Sequence, residues 1–182
     1  MTCIVGIVHD GEVIIGGDSA GSDRCTIDQR CQPKVFTRGE YAFGYTSSFR
    51  MGQLLQYRLE IDSPDTWDLD SWMATTFVDS VRQCLKDGGW ARTSGGDDEP
   101  GGSEAGGTFL VGIRGQLYAI ADDYQAGRVL DGYQAVGSGA EVALGALYAT
   151  RHLGPQVRIR IALEAAEHVT PYVRGPFTTV TV

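Results

Sequence analysis

Two short apolar runs at the start of the chain are separated by a polar pair. The runs span residues 2–9 and 12–18, and between them lie Asp10 and Gly11, a dipeptide typical of a two-residue hairpin turn. Neither run alternates cleanly between apolar and polar positions, so both faces of the strands should be covered. The pattern predicts a buried β-hairpin at the start of a layered fold.

Strand-forming residues continue beyond this hairpin, and helical spacing then replaces them. A second strand pair is predicted at residues 34–37 and 41–45, around a polar turn. Two helices are predicted after Ser48, separated by a break at residues 63–65. The residues at helical spacing are Met51, Leu54, Leu55 and Leu59 in the first helix and Trp72, Phe77, Val81 and Cys84 in the second.

The second half of the chain repeats the order of strands followed by a helix pair. Strands are predicted at residues 108–113 and 116–121, helices after residue 139 and at about 156–169, and a last strand at 177–182. Two strand blocks, each followed by two helices, fit two sheets packed face to face with a helical layer outside each. We therefore predict an α+β fold, specifically a four-layer αββα sandwich.

Length and composition fit a single domain. The 182 residues, 21% of them charged, are enough for one well-buried core and too few for two ordinary domains, so we expect one domain over residues 1–182. Residues 87–107 are dominated by Gly, Asp, Glu and Ser. Such a composition buries too little surface to offset its ordering entropy, which predicts a mobile loop.

Charge and cysteine spacing exclude several classes of function. A net charge of −8 argues against a nucleic-acid or anionic-membrane surface. The apolar runs are too short to span a bilayer, and no leader pattern precedes them, so we expect a soluble cytoplasmic protein. The four cysteines lack close metal-binding spacing, and we predict no metal and no cofactor.

Thr2 is a candidate nucleophile because it follows Met1 directly. A residue this small permits removal of the initiator methionine, which would give Thr2 a free α-amine. The hydroxyl could then attack while the amine, with an ordinary pKa near 8, accepts its proton. A threonine at position two commonly has no such role, so the hypothesis depends on its neighbours.

The hairpin register brings Asp18 close to Thr2. If Asp10 and Gly11 form the turn, cross-strand partners sum to 21, which pairs Cys3 with Asp18. Strict alternation would place Asp18 on the face of Cys3, so it serves Thr2 if the strand ends twist. Alternatively, Asp18 simply ends a strand.

Two further polar residues complete the candidate chemistry. Lys34 begins a strand of Val and Phe, and its charge beside Thr2 and Asp18 would ease proton removal; otherwise it is a solvated strand-end lysine. Ser138 lies between two glycines where a strand ends and a helix begins, a turn that can expose a hydroxyl. Its alternative role is a helix cap. The scattered histidines argue against a serine triad.

Four stretches together resemble proteasome β subunits and the bacterial HslV peptidase. They are residues 2–7, 16–22, 34–36 and 136–139, and the resemblance covers nearly the whole chain. It implies the N-terminal nucleophile hydrolase fold and a threonine peptidase. The spacing of its nucleophile, aspartate and lysine agrees without a gap with the positions Thr2, Asp18 and Lys34. Ser138 corresponds to the family's later serine near the amine.

The same resemblance implies a substrate groove around residues 46–50. The amide of Ser48 would occupy the oxyanion position, where the family usually has glycine, and Thr46 would lie near the first specificity pocket. Ser22 and Arg50 would pair with the backbone of an extended substrate, as in strand addition.

Two features depart from the family pattern. Proteasomes carry an aspartate and serine pair near the end of the C-terminal helix, whereas this chain has residues 168–175 in an altered sequence nearer to that of HslV. We also expect no propeptide, so removal of Met1 alone would have to activate Thr2.

The family implies a peptidase assembled into homo-oligomeric stacked rings, acting on peptides or unfolded proteins with an ATP-dependent unfoldase as partner. Two alternatives stay open. The chain could be a catalytically silent ring or scaffold subunit, which the altered C-terminal region and Ser48 would suit. It could also be an amidase that uses the same N-terminal chemistry on a small molecule.

Overall fold

The structure is a computed structural model that describes residues 2–22, 25–90, 92–93 and 104–182. The strands, in chain order, are β1 (Ile4–His9), β2 (Glu12–Gly17), β3 (Ala20–Ser22), β4 (Ile27–Gln29), β5 (Val35–Arg38), β6 (Tyr41–Tyr45), β7 (Arg92–Thr93), β8 (Glu104–Ala105), β9 (Phe109–Ile113), β10 (Gln116–Ile120), β11 (Ala126–Arg128), β12 (Tyr133–Val136) and β13 (Thr178–Thr181).

Helices follow each of the two main blocks of strands. After the first block, two of the α-helices are joined through a π-helical turn and run on as one continuous segment. The helices are α1 (Phe49–Tyr57), α2 (Leu69–Trp72), the π-helical turn (Met73–Phe77), α3 (Val78–Asp87), α4 (Ala140–Ala149) and α5 (Pro155–Val169).

The first hairpin has the predicted register. Asp10 and Gly11 both adopt positive φ, 49° and 83°, which a tight two-residue turn between twisted strands requires. Ile4 of β1 pairs with Gly17 of β2, so partners sum to 21 as expected. The same register, continued away from the turn, places residues 2–3 beside residues 18–19 at the open end of the hairpin.

Two antiparallel sheets form the centre of the fold. The first sheet has the order β12-β1-β2-β13, and the second has the order β11-β10-β9-β6-β5. Helices α4 and α5 pack on the outer face of the first sheet, where they bury Val5 and Ile7. Helices α1 and α3 cover the second, over an aromatic core that includes Phe43 and Phe77.

A third apolar cluster lies between the sheets and explains the continuous apolar runs. Ile4, Val13 and Ile15 of the first sheet face Leu110 and Leu117 of the second. Each central strand is therefore covered on both faces, once by the opposite sheet and once by helices. The four-layer αββα prediction is confirmed.

The short strands are the main elements that the sequence pattern did not predict. β3 and β4 form a separate two-stranded ribbon, and β11 extends the edge of the second sheet. About half of the loop predicted at residues 87–107 lies outside the described residues, and of the rest, α3 ends at its start and β7 pairs with β8. Among the described residues, no helix has the length and apolar character needed to cross a bilayer.

Candidate active site

Buried polar side chains gather at the open end of the first hairpin. Within the part of the chain that the structure describes, this otherwise apolar interior holds five of them, each no more than 7% exposed. Buried polar groups are costly unless they are hydrogen-bonded to one another, so such a cluster needs an explanation. The five residues are Thr2, Asp18, Ser19, Lys34 and Thr46.

The carboxylate of Asp18 is held by hydrogen-bond donors on both oxygens. Oδ1 accepts from the backbone N–H of Cys3 at 3.1 Å and from Nζ of Lys34 at 2.9 Å. Oδ2 accepts from the backbone N–H of Ala20 at 3.0 Å. β2 ends at Gly17, so the strict alternation that would separate Asp18 from Thr2 does not extend to Asp18.

Lys34 connects the carboxylate to the threonine hydroxyl. Its Nζ lies 2.9 Å from Oγ1 of Thr2 and 2.9 Å from Oδ1 of Asp18, and its side chain is 2% exposed. Burial lowers the pKa of Lys34 below its ordinary value of 10.5, and the Asp18 carboxylate opposes that shift. A lysine with a lowered pKa is a stronger acid, and therefore a stronger hydrogen-bond donor to Oγ1.

A turn at the end of β12 holds the backbone of Thr2. The Thr2 N–H donates to Oγ of Ser138 at 3.2 Å, and the Ser138 hydroxyl in turn lies 3.4 Å from the Thr2 carbonyl oxygen. The N–H of Gly139 also donates to that carbonyl, at 3.3 Å. Gly137 adopts φ 98° and packs directly against the Thr2 carbonyl, where a Cβ atom would collide with it.

The segment after α5 also contacts this cluster, which the sequence pattern did not predict. The Ser19 N–H and hydroxyl both donate to the carbonyl oxygen of Arg174, at 3.0 and 3.2 Å. The Arg174 N–H approaches Oδ2 of Asp18 at 3.5 Å. Arg174 lies in residues 168–175, the stretch that departs from the family pattern, and this departure was the one available signal.

A pocket of about 130 Å³ opens in front of Thr2. Of the residues predicted to bind substrate, Ser22 and Thr46 line it. Arg50 is not among the described residues that line the pocket; its Nη2 points to the Gly88 carbonyl at 3.5 Å. The described lining residues are Thr2, Ala20, Gly21, Ser22, Asp28, Arg30, Lys34, Tyr45, Thr46, Ser47, Ser48 and Phe49.

The predicted oxyanion residue lies in a tight turn at the edge of this pocket. The Ser48 N–H donates to the Thr46 carbonyl at 2.7 Å, and Ser47 between them adopts φ 65°. The Ser48 hydroxyl caps α1 by accepting from the N–H of Arg50 at 3.0 Å. The backbone donor of Ser48 therefore faces a carbonyl of its own chain in this conformation.

Sequence reasoning missed Arg30, which lines the pocket together with Phe49 of the predicted stretch 46–50. The guanidinium carbon of Arg30 lies 4.5 Å from the centroid of the Phe49 ring, a cation–π contact. Tyr45 meets the same ring edge-on, with centroids 6.2 Å apart. Nothing in the linear pattern marks Arg30, because the β3–β4 ribbon that carries it to the site was not predicted.

Cys3 is excluded as an alternative nucleophile beside Thr2. Its thiol is fully buried, and burial raises its pKa to about 12, so the reactive thiolate is suppressed.

No group of three or more His, Cys, Asp or Glu side chains among the described residues could hold a metal ion. Two larger open grooves, of about 810 and 610 Å³, are not lined by Thr2, Asp18 or Lys34. The buried polar cluster, and not cavity size, identifies the candidate site.

No protein-family model matches the sequence, and no curated protein matches it. Solved structures do match. BPH from Thiobacillus denitrificans in complex with epoxomicin aligns with a TM-score of 0.81 at 18% identity, over 100% of this chain and 98% of that chain. Eukaryotic HslV from Trypanosoma brucei aligns with a TM-score of 0.66 at 14% identity, over 99% and 98%. Anbu from Pseudomonas aeruginosa, solved as a helical assembly, aligns with a TM-score of 0.64 at 17% identity, over 100% and 81%.

Proposed function

We propose that this chain, whose fold is that of the HslV and BPH structures, is the threonine peptidase subunit of a self-compartmentalising ring protease. Thr2 would become the nucleophile when Met1 is removed. The observation that carries the proposal is the position of Lys34 Nζ, 2.9 Å from both Thr2 Oγ1 and Asp18 Oδ1 in a buried cluster. A buried ion pair adds little net stability compared with apolar residues of similar size. A subunit that served only for assembly would therefore gain little from the Lys34–Asp18 pair.

In the first step, the freed α-amine of Thr2 accepts the proton of its own hydroxyl. Ser138 Oγ, 3.2 Å from the Thr2 nitrogen, orients that amine. The ammonium of Lys34 stabilises the negative charge that grows on Oγ1, and Asp18 holds the ammonium in place. Oγ1 then attacks the scissile carbonyl carbon, and a tetrahedral oxyanion forms.

The turn at residues 46–48 would bind this oxyanion. The Ser48 N–H can donate to the oxyanion only after its hydrogen bond to the Thr46 carbonyl has broken. The Ser47 N–H is a second possible donor, and it has no hydrogen bond to another described residue that would have to break first. Collapse of the intermediate breaks the peptide C–N bond, and the α-ammonium gives its proton to the leaving amine. Water then hydrolyses the ester on Thr2, with the α-amine again as base, and restores the hydroxyl.

The substrate would be an extended peptide segment of an unfolded protein. Ser22 of β3 and the turn at residues 46–48 both line the pocket, so an added strand would pair with backbone groups of these two segments. Arg50 would contact the peptide farther from Thr2. By analogy with the family that the sequence resembles, the subunits would form homo-oligomeric stacked rings in the cytoplasm with an ATP-dependent unfoldase, and no cofactor would be needed.

The test compares Thr2→Ala with the wild type and with Thr2→Ser as a matched control. Peptide hydrolysis should fall by about a thousandfold or more in Thr2→Ala, while Thr2→Ser keeps a hydroxyl and should keep measurable turnover. Intact-mass measurement of each preparation reports whether Met1 has been removed. Assembly, followed by analytical ultracentrifugation, should be the same in all three proteins.

The two alternatives give different outcomes in this experiment. A silent subunit would lack turnover in the wild type, with Met1 retained. A small-molecule amidase would hydrolyse simple acyl amides and leave peptides intact. Undiminished peptide cleavage by Thr2→Ala would exclude Thr2 as the nucleophile.

A further inference from the structure

Three backbone carbonyls at the end of α5 converge on one nitrogen of Arg174. Nη1 donates to the carbonyl oxygens of Glu167, Thr170 and Val173 at 3.3, 3.3 and 2.7 Å. The acceptors are spaced three residues apart, so they belong to successive turns of the chain as the helix ends. The guanidinium thus occupies a small cradle of oxygens.

Such a cradle favours a positive charge. The last carbonyls of a helix lack intrahelical partners, and the helix dipole gives them added negative charge, which applies to Glu167 in the last turn of α5 and to Thr170 at its cap; the Val173 carbonyl belongs to the segment that follows. One NH₂ group has two hydrogens, so it cannot form three linear hydrogen bonds. The third carbonyl is therefore held mainly by charge, as it would be around a bound cation. In this chain the cation is the guanidinium of Arg174, and the group that it holds in place is the backbone of the same residue.

The main chain of the same residue reaches the candidate site. The Arg174 carbonyl accepts from both the N–H and the hydroxyl of Ser19, and its N–H approaches Oδ2 of Asp18 at 3.5 Å. The following residue is fastened as well, since the Gly175 N–H donates to Oε1 of Glu167 at 3.0 Å. Any movement of this segment relative to α5 would move the groups that hold Asp18 and Ser19.

We propose that Arg174 is a positioning residue, whose guanidinium acts as a built-in cation that fixes the Asp18–Ser19 segment beside Thr2. This inference rests on the proposed peptidase function for its effect on catalysis, but not for the cation cradle itself. Removal of the guanidinium would leave three carbonyls without their charge partner. Free guanidinium or a small alkali cation should then bind there and restore the arrangement.

The test measures peptide hydrolysis and thermal unfolding of Arg174→Ala with added salts. We expect kcat to fall about tenfold to a hundredfold with little change in KM, because misplacement of about an ångström is enough for such losses. Guanidinium chloride or potassium chloride at millimolar concentration should recover part of kcat and raise Tm. Tetramethylammonium chloride, whose cation is too large for the cradle, should do neither. Arg174→Lys should retain more activity than Arg174→Ala.

Arg151→Ala is the matched control. Arg151 also lies after a helix, but it donates to one carbonyl, that of Tyr148 at 3.3 Å, and it packs on the ring of the same tyrosine. Both contacts lie outside the cluster around Thr2. The kcat of Arg151→Ala should equal that of the wild type, and no salt should change it selectively.

Two outcomes would overturn the inference: an Arg174→Ala protein with unchanged kcat, or one whose kcat and Tm respond equally to all three salts. Failure of the proposed function is separate. If the wild type has no peptidase activity, the selective rise in Tm of Arg174→Ala with guanidinium or potassium still tests the cradle, because that measurement needs no turnover.

Discussion

Two hairpins face each other across the centre of the molecule, and they are built alike. β1–β2 lies in one sheet and β9–β10 in the other, and each turns through a pair of residues with positive φ. The turns touch, since a Cβ atom on Gly115 would lie 2.6 Å from the carbonyl oxygen of Gly11. Apolar residues from both hairpins fill the space between the sheets. The same pattern of residues thus builds both structures.

The difference lies at the open ends. At the end of β9–β10, the Thr108 carbonyl accepts from the N–H and hydroxyl of Thr46, at 3.1 and 2.7 Å, and no charged side chain takes part in these bonds. At the end of β1–β2 lie Thr2, Asp18 and Lys34, joined through one buried ammonium. Hydrophobic patterning therefore locates strands but does not distinguish the hairpin that ends in a buried ion pair from the one that does not. The buried ion pair between Lys34 and Asp18 makes that distinction.

The largest expected effect comes from breaking the ion pair at the open end of β1–β2. Lys34→Met leaves the Asp18 carboxylate, which is 0% exposed, without its counter-charge, and should cost about 3 kcal/mol of stability or more. The double variant Asp18→Asn/Lys34→Met should regain most of that loss, because neutral groups remain. Both proteins should lack peptidase activity. Urea denaturation and peptide hydrolysis measure the two effects.

This experiment asks whether the pair serves chemistry or stability. If the double variant unfolds as readily as Lys34→Met, the pair is a net stabiliser of the fold, and its presence no longer supports an active site.

A smaller effect is expected at the turns, where the two hairpins are most alike. Gly11 has φ 83° and open space around it, so Gly11→Ala should cost about 1 kcal/mol, the usual cost of a non-glycine residue in that region. Gly115→Ala should cost about 2 kcal/mol or more, because its new methyl group would also press against the Gly11 carbonyl. Equal losses of stability in urea denaturation would show that the turns do not restrain each other. Peptide hydrolysis per folded molecule should be unchanged in both variants.

The last expected effect is negligible at neutral pH and develops only in alkaline solution; it concerns Cys3, which lies beside Thr2 at the open end of β1–β2 and is fully buried. Its folded-state pKa of about 12 lies above the ordinary 9.0, so its contribution to stability is complete below pH 9 and is lost as pH rises toward 12. Within that window the unfolded thiol ionises while the folded thiol does not. The stability of the wild type relative to Cys3→Ala should fall with pH, by at most about 1.4 kcal/mol per pH unit. Parallel profiles between pH 8 and 10 would contradict this.

Local rules are sufficient to predict the framework. Asp10 and Gly11 fix the register of β1–β2, and that register alone places Asp18 at the correct end of the hairpin. The helix pairs follow from spaced apolar residues, and the predicted bounds of α5 agree with the observed ones to within one residue. These features depend on residues close together in the chain, which is why a single sequence reveals them.

Features that depend on distant segments could not be read in the same way. Arg174 contacts Ser19 and Asp18 through its backbone carbonyl and N–H, and backbone groups carry no sequence signal of their own. Arg30 reaches the pocket on a ribbon of three-residue strands, too short for alternation to be detected. The roles assigned to Ser22, Thr46, Ser48 and Arg50 came from resemblance, and they stay predictions.

The contacts that hold Thr2 and Asp18 also set the order in which the site can appear during synthesis. Thr2 is 136 residues from Ser138, and Asp18 is 156 residues from Arg174. The first hairpin can close as soon as it leaves the ribosome, since its ladder is local. The contacts at its open end must wait until α5 and the segment after it have emerged and docked. If Thr2 is the nucleophile as proposed, a nascent chain would therefore lack a complete active site, and neighbouring growing chains would not be cleaved by it until the domain is almost complete.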